Sequence, residues 1–104
     1  MVDPRERIQM LASQLQNSMQ QVQTVDTQIR EIQATISALD VQDETRPIYR
    51  QIGPLLLEVG DRSVLKEELV SSLKTLEEHL IKVQQSEKEI RELYDQAIKS
   101  FESQ

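Results

Sequence analysis

Pro47-Ile48-Tyr49-Arg50-Gln51-Ile52-Gly53-Pro54-Leu55-Leu56-Leu57-Glu58-Val59-Gly60 is the stretch that decides the fold. Ile48, Arg50 and Ile52 alternate with Tyr49 and Gln51, and beyond Gly53-Pro54 the residues Leu55, Leu57 and Val59 alternate with Leu56 and Glu58. Successive strand side chains face opposite ways, and glycine and proline punctuate turns, so the pattern predicts a β-hairpin. A lone two-stranded hairpin is marginal in water. One carrying Ile48, Ile52, Leu55, Leu56, Leu57 and Val59 would also leave apolar surface and unpaired edges open, which proteins seldom tolerate uncovered. The stretch therefore predicts assembly, and the single chain is not expected to be the working unit.

Moving outward, the spacing changes from two to three and four. Upstream, Ile8, Leu11, Leu15, Ser18, Val22, Val25, Ile29, Ile32, Ile36 and Leu39 form an unbroken heptad seam, interrupted in character only by Ser18. Asp3-Pro4-Arg5-Glu6 opens it: Asp3 can cap, Pro4 suits the first helical position, and Glu6 sits where a capping box needs it. Downstream, Leu69, Leu73, Leu76, Leu80, Val83, Glu87, Ile90, Tyr94, Ala97 and Phe101 form a second seam whose one exception is Glu87. Asp61 or Ser63 could cap this helix. Its outer face offers Glu78–Lys82, Glu87–Arg91, Lys88–Glu92 and Asp95–Lys99 at i,i+4, each worth a few tenths of a kcal/mol.

Two seams joined by some twenty residues should fold back antiparallel. Layers whose residue numbers sum to 105 pair Ile8 with Ala97, Leu11 with Tyr94, Leu15 with Ile90, Val22 with Val83, Val25 with Leu80, Ile29 with Leu76, Ile32 with Leu73 and Ile36 with Leu69. Ser18 and Glu87 then share a polar layer. A heptad shift would set each against an apolar partner, with its desolvation uncompensated. The fold class expected is all-α dominated: a long antiparallel two-helix coiled coil with one β-hairpin at the bend. It forms a single domain over residues 1–104, with helix 1 at 4–39, linker and hairpin at 40–60, and helix 2 at 61–103.

Composition narrows the function. The chain has 104 residues, with 12 Lys and Arg against 18 Asp and Glu and a formal net charge of −6. Phosphate backbones need a basic face and anionic membrane surfaces repel a negative chain, so neither nucleic acid nor membrane is an expected partner. There is no cysteine, hence no disulfide, zinc-thiolate site or thiol nucleophile. The opening Met1-Val2-Asp3-Pro4-Arg5-Glu6-Arg7-Ile8 lacks the apolar core of a signal peptide, and no stretch approaches a membrane span; a cytoplasmic location is expected. An enzyme is not expected. His79 is the only histidine and falls beside the seam, while Glu67-Glu68 and Glu77-Glu78 are helix neighbours that point apart. Both glycines sit at turns, no glycine-rich phosphate loop follows a strand, and no cofactor is expected.

The hairpin motif, placed midway between two seams of similar length, resembles the β-class subunits of prefoldin. Pro47-Ile48-Tyr49-Arg50-Gln51-Ile52-Gly53-Pro54-Leu55-Leu56-Leu57 is similar to the family's tyrosine-x-x-(Ile/Val)-Gly hairpin entry followed by an aliphatic strand, and Asp43-Glu44-Thr45 ahead of it suits the family. α-class subunits carry two hairpins in a longer insert, and this insert has room for one. The resemblance implies a prefoldin-like fold and an ATP-independent molecular chaperone subunit. Its hetero-hexamer of two α-class and four β-class subunits is built on a β-barrel platform, with coiled coils hanging from it. The partners implied are α-class and other β-class prefoldin subunits, unfolded client proteins (actin and tubulin if eukaryotic) and a group II chaperonin. Carried onto this chain, Ile48, Tyr49, Ile52, Gly53, Leu55, Leu57 and Val59 would serve assembly. Ile8, Met10, Leu11, Tyr94, Ile98 and Phe101 would form the client-binding tip. Met10 and Ile98 lie off the seam and are expected to gain no burial from the hairpin of helices. Flexible methionine suits a surface that meets many sequences.

Two other readings compete. A coiled-coil scaffold or tethering subunit of a cytoskeletal or trafficking complex explains both seams but not the apolar, strand-like bend. An antiparallel homodimer forming a four-helix bundle needs a second apolar stripe on each helix. Beyond the seams, Met10, Ala12 and Met19, then Val70, Ile81 and Ile98, are too sparse for one.

Overall fold

Helix α1, Pro4–Val41, begins where the sequence supplies a cap: the Asp3 carboxylate accepts the Arg5 N–H at 2.9 Å, and Pro4 occupies the first turn. The computed structural model describes residues 3–103, so residues 1, 2 and 104 of the expected domain lie outside the described residues. α1 runs two residues past the expected Leu39, because nothing in Asp40-Val41 opposes a helix. What stops it is a turn built on Asp43, whose carboxylate accepts both the backbone N–H and the hydroxyl of Thr45, at 2.9 and 2.8 Å. Such a side-chain turn competes with the helical ladder for the same backbone groups.

Strands β1, Tyr49–Ile52, and β2, Leu55–Glu58, pair antiparallel in the register Tyr49↔Glu58, Arg50↔Leu57, Gln51↔Leu56 and Ile52↔Leu55. The connection is the two-residue turn Gly53-Pro54, with Gly53 at φ +58°. Two-residue hairpins favour primed turns, and proline at the second central position cannot take the positive φ of type I′. Type II′ remains, with glycine at its first position. Helix α2, Arg62–Glu102, then starts at Asp61, not Ser63: the Asp61 carboxylate accepts the N–H of Ser63 at 2.9 Å and of Val64 at 3.3 Å.

The two helices lie antiparallel, and their contact is the only core among the described residues. Leu11, Ser18, Val25, Ile29 and Val83 are buried, and the other seam positions are half-buried apart from Phe101. Val22, Val25, Ile29, Leu76, Leu80 and Val83 pack in one cluster, as three successive layers of the expected register require. The ends agree to within one residue: Lys66 meets Asp40 at 2.7 Å at the bend, and the Arg5 guanidinium lies 5.8 Å from the Phe101 ring centre at the tip. The seam also reaches one turn further than its sequence pattern, since Leu65 is half-buried. Of the four expected i,i+4 ion pairs on α2, only Glu87–Arg91 is closed among the described residues; a further pair joins Asp26 and Arg30 on α1 at 3.0 Å.

The molecule is a rod of 71 × 25 × 18 Å. Its accessible surface is 8256 Å², against roughly 6000 Å² for a compact monomer of this mass. No helix among the described residues is long and apolar enough to cross a membrane.

Candidate assembly and client-binding surfaces

The hairpin stands clear of the rod. All eight strand residues are exposed, and no Cα of either strand comes within 8 Å of a helix Cα. Residues opposite one another in an antiparallel pair share a face, so Arg50, Ile52, Leu55 and Leu57 lie on one side and Tyr49, Gln51, Leu56 and Glu58 on the other. The hydrogen bond from Val59 N–H to the Ile48 carbonyl, 2.8 Å, extends the first face to Ile48 and Val59, which are half-buried at the base. Every second pair bonds across such a ladder. The N–H and C=O groups of Tyr49 and Gln51 therefore point out from one edge, and those of Leu56 and Glu58 from the other. Ile52 (53%), Leu55 (59%) and Leu56 (68%) keep more than half their surface in contact with solvent, as does Tyr49. Two open edges and this much apolar surface at one end of the rod form a surface shaped for other strands. A shallow groove below the hairpin, lined in part by Leu39, Ile48, Tyr49, Leu65 and Leu69, continues the apolar surface onto the root of the coiled coil.

At the opposite end, the six tip residues fall into three groups. Met10 (49%) and Phe101 (38%) are exposed. Ile8, Tyr94 and Ile98 are half-buried, so Ile98 does not stand free of the helix pair as its off-seam position suggested. Leu11, 3% exposed, is part of the core and can meet a partner only if the helices part.

Between the two ends, the Ser18/Glu87 layer contains no bond between its members. The Ser18 hydroxyl oxygen is buried and has no hydrogen-bond partner. The Glu87 carboxylate turns along its own helix to Arg91, accepting from both Nε and Nη2. That pairing raises the already high pKa of the Arg91 guanidinium. His79 is exposed on α2, one residue before the seam position Leu80. Among the described residues, no three His, Cys, Asp or Glu side chains come together as metal ligands would.

One residue at the root escaped the sequence reading. Arg62 donates from Nη1 to the carbonyl of Gln42 at 3.3 Å and from Nη2 to the carbonyl of Asp43 at 2.8 Å and to that of Arg46. The Asp43 carboxyl is held below its ordinary pKa by the two Thr45 hydrogen bonds and, less strongly, by the Arg62 charge. Arg50 on β1 meets Glu68 on α2 at 3.3 Å.

Geometry thus defines a class: an antiparallel coiled coil headed by a single exposed hairpin. The family described as prefoldin subunit matches residues 5–104. Prefoldin subunit beta of Archaeoglobus fulgidus is 30% identical, over 85% of this chain and 81% of that protein. The corresponding subunit of Thermoplasma volcanium is 28% identical, over 90% and 83%. Among solved structures, the prefoldin beta subunit from Thermococcus strain KS-1 superposes with a TM-score of 0.83 at 21% identity, covering 96% of this chain and 87% of that one. The beta2 subunit from the same strain gives 0.76 at 23% identity, covering 88% and 97%. The chain belongs to the prefoldin subunit family, on the β side of it, and is a prefoldin chaperone subunit. The likeness to the two solved structures bears out the fold expected from the sequence: two long helices with one hairpin between them.

Proposed function

We propose that this chain assembles through its hairpin with α-class and other β-class prefoldin subunits into a hetero-hexamer. In that complex the coiled-coil tips hold unfolded proteins and pass them, without ATP, to a group II chaperonin in the cytoplasm. The observation that carries the reading is the hairpin itself, with exposed Tyr49, Ile52, Leu55, Leu56 and Leu57 and two edges of outward-pointing backbone groups. Leaving these in water is unfavourable, and pairing them with neighbouring hairpins satisfies both the apolar surface and the edges. Gly53 keeps the turn tight, and Ile48 and Val59 close its base. The tip offers Met10 and Phe101 directly, with Ile8, Tyr94 and Ile98 half-covered beside them. Leu11 would join them only when the helices separate.

Native mass spectrometry of the chain, alone and mixed with an α-class prefoldin subunit, tests the assembly step. The expected product is a mixed hexamer holding four copies of this chain. A stable dimer that ignores the α-class partner would overturn the reading in favour of a scaffold or tether.

A further inference from the structure

The hairpin must be held at a fixed angle if it is to set the direction of a rod, yet it has almost nothing to lean on. Neither strand's backbone approaches the helices, and its tip lies in solvent. Its two legs are the connectors 42–48 and 59–61. The structure assigns to Arg62 the role of a positioning residue, a staple across these two legs. Resting on the assembly reading above, we propose that it fixes the angle at which the coiled coil leaves the hairpin platform.

Three observations support this. Arg62 is the first residue of α2, immediately after the second leg, and its guanidinium brackets three carbonyls of the first leg: Gln42, Asp43 and Arg46. Those carbonyls lie on both sides of the Asp43–Thr45 turn, so the bracket spans the whole reversal that leads out of α1 and into β1. A guanidinium carries five N–H donors in a rigid fork, which an ammonium cannot reproduce. Gln42 is the C-cap of α1, so the charge also rests where the helix dipole favours a cation, and no basic residue lies in the last turn of α1 itself. Among the described residues, Arg50–Glu68 is the one ion pair between hairpin and helix, and it is half-exposed on both sides, a weaker restraint.

The chain has no cysteine, so Gln51→Cys with Glu77→Cys can be spin-labelled selectively in the full chain and diluted with unlabelled protein. Pulsed electron resonance then reads the hairpin-to-helix distance within one chain. The parent should give a narrow distribution. Arg62→Ala should broaden it and shift its mean, with helix content by circular dichroism unchanged. Arg62→Lys, which keeps the charge but not the fork, should broaden it as well, and it decides the matter if the alanine variant loses helix. A distribution as narrow as the parent's in Arg62→Lys overturns the staple. Mixed with an α-class subunit, Arg62→Lys should reach the parent's assembly mass while the distances between tips spread. If the parent itself fails to assemble, the assembly reading falls, and the intrachain distance still judges Arg62.

Discussion

Ser18 and Asp43 are single residues whose environments make specific claims. The Ser18 hydroxyl is buried without a partner, and a buried hydroxyl left unpaired costs about 1–3 kcal/mol relative to one in water. Ser18→Ala should therefore raise stability by about 1 kcal/mol in a denaturant titration. A loss of that size would mean the hydroxyl is bonded in solution. Asp43 has the opposite character. Its carboxylate is stabilised in the charged form by the Thr45 N–H, then by the Thr45 hydroxyl, with a smaller part from Arg62. A depressed folded pKa stabilises the fold above the unfolded value, near pH 4, and the contribution is lost as pH falls through the folded midpoint. Carbon-detected NMR titration should place the Asp43 midpoint below that of an unfolded peptide, and Thr45→Val should bring it part of the way back. An Asp43 midpoint at the peptide value would show the turn open in solution.

At the scale of elements, what the sequence made legible was whatever repeats. The heptads located both helices and their pairing, because a seam buried on one side must recur every three and four residues. The alternation around Gly53-Pro54 located the strands for the same kind of reason. Contacts with no period were invisible. Arg62 reaches back across the chain by side-chain length alone, and Leu65 and Ile98 are half-buried although neither falls on the regular seam. The end of α1 was misplaced by two residues because no glycine marks it. The seven assembly positions and the six tip positions were nameable as residues, but their exposures, such as Leu11 inside and Leu55 outside, depend on tilt and register that a pattern does not encode. The hairpin carries its own prediction. Ile52→Asp places a charge on the apolar face it shares with Leu55, so native mass spectrometry should show assembly lost while circular dichroism shows helix content largely kept. A normally assembled complex from this variant would remove the hairpin from the interface.

The whole molecule sets its two proposed surfaces apart by the length of the rod, the strands at one end and the tip residues at the other. Changes at the tip should not reach the hairpin, since distant sites without shared partners act independently. Met10→Ser with Ile98→Ser should weaken suppression of client aggregation and leave the assembly mass as it was. Holding activity equal to the parent's would move client contact elsewhere on the coiled coil. The rod is also thin: among the described residues no side chain falls below 2% exposure. That has a calorimetric meaning. Heat capacity rises on unfolding in proportion to the apolar surface newly wetted, and a seam this shallow has little left to wet. The isolated chain should have a flat stability curve and a broad, low melting transition, with sharpness arriving only when neighbouring hairpins close over one another. Its melting behaviour would then depend on concentration, so that the chain's folding and its company are one equilibrium.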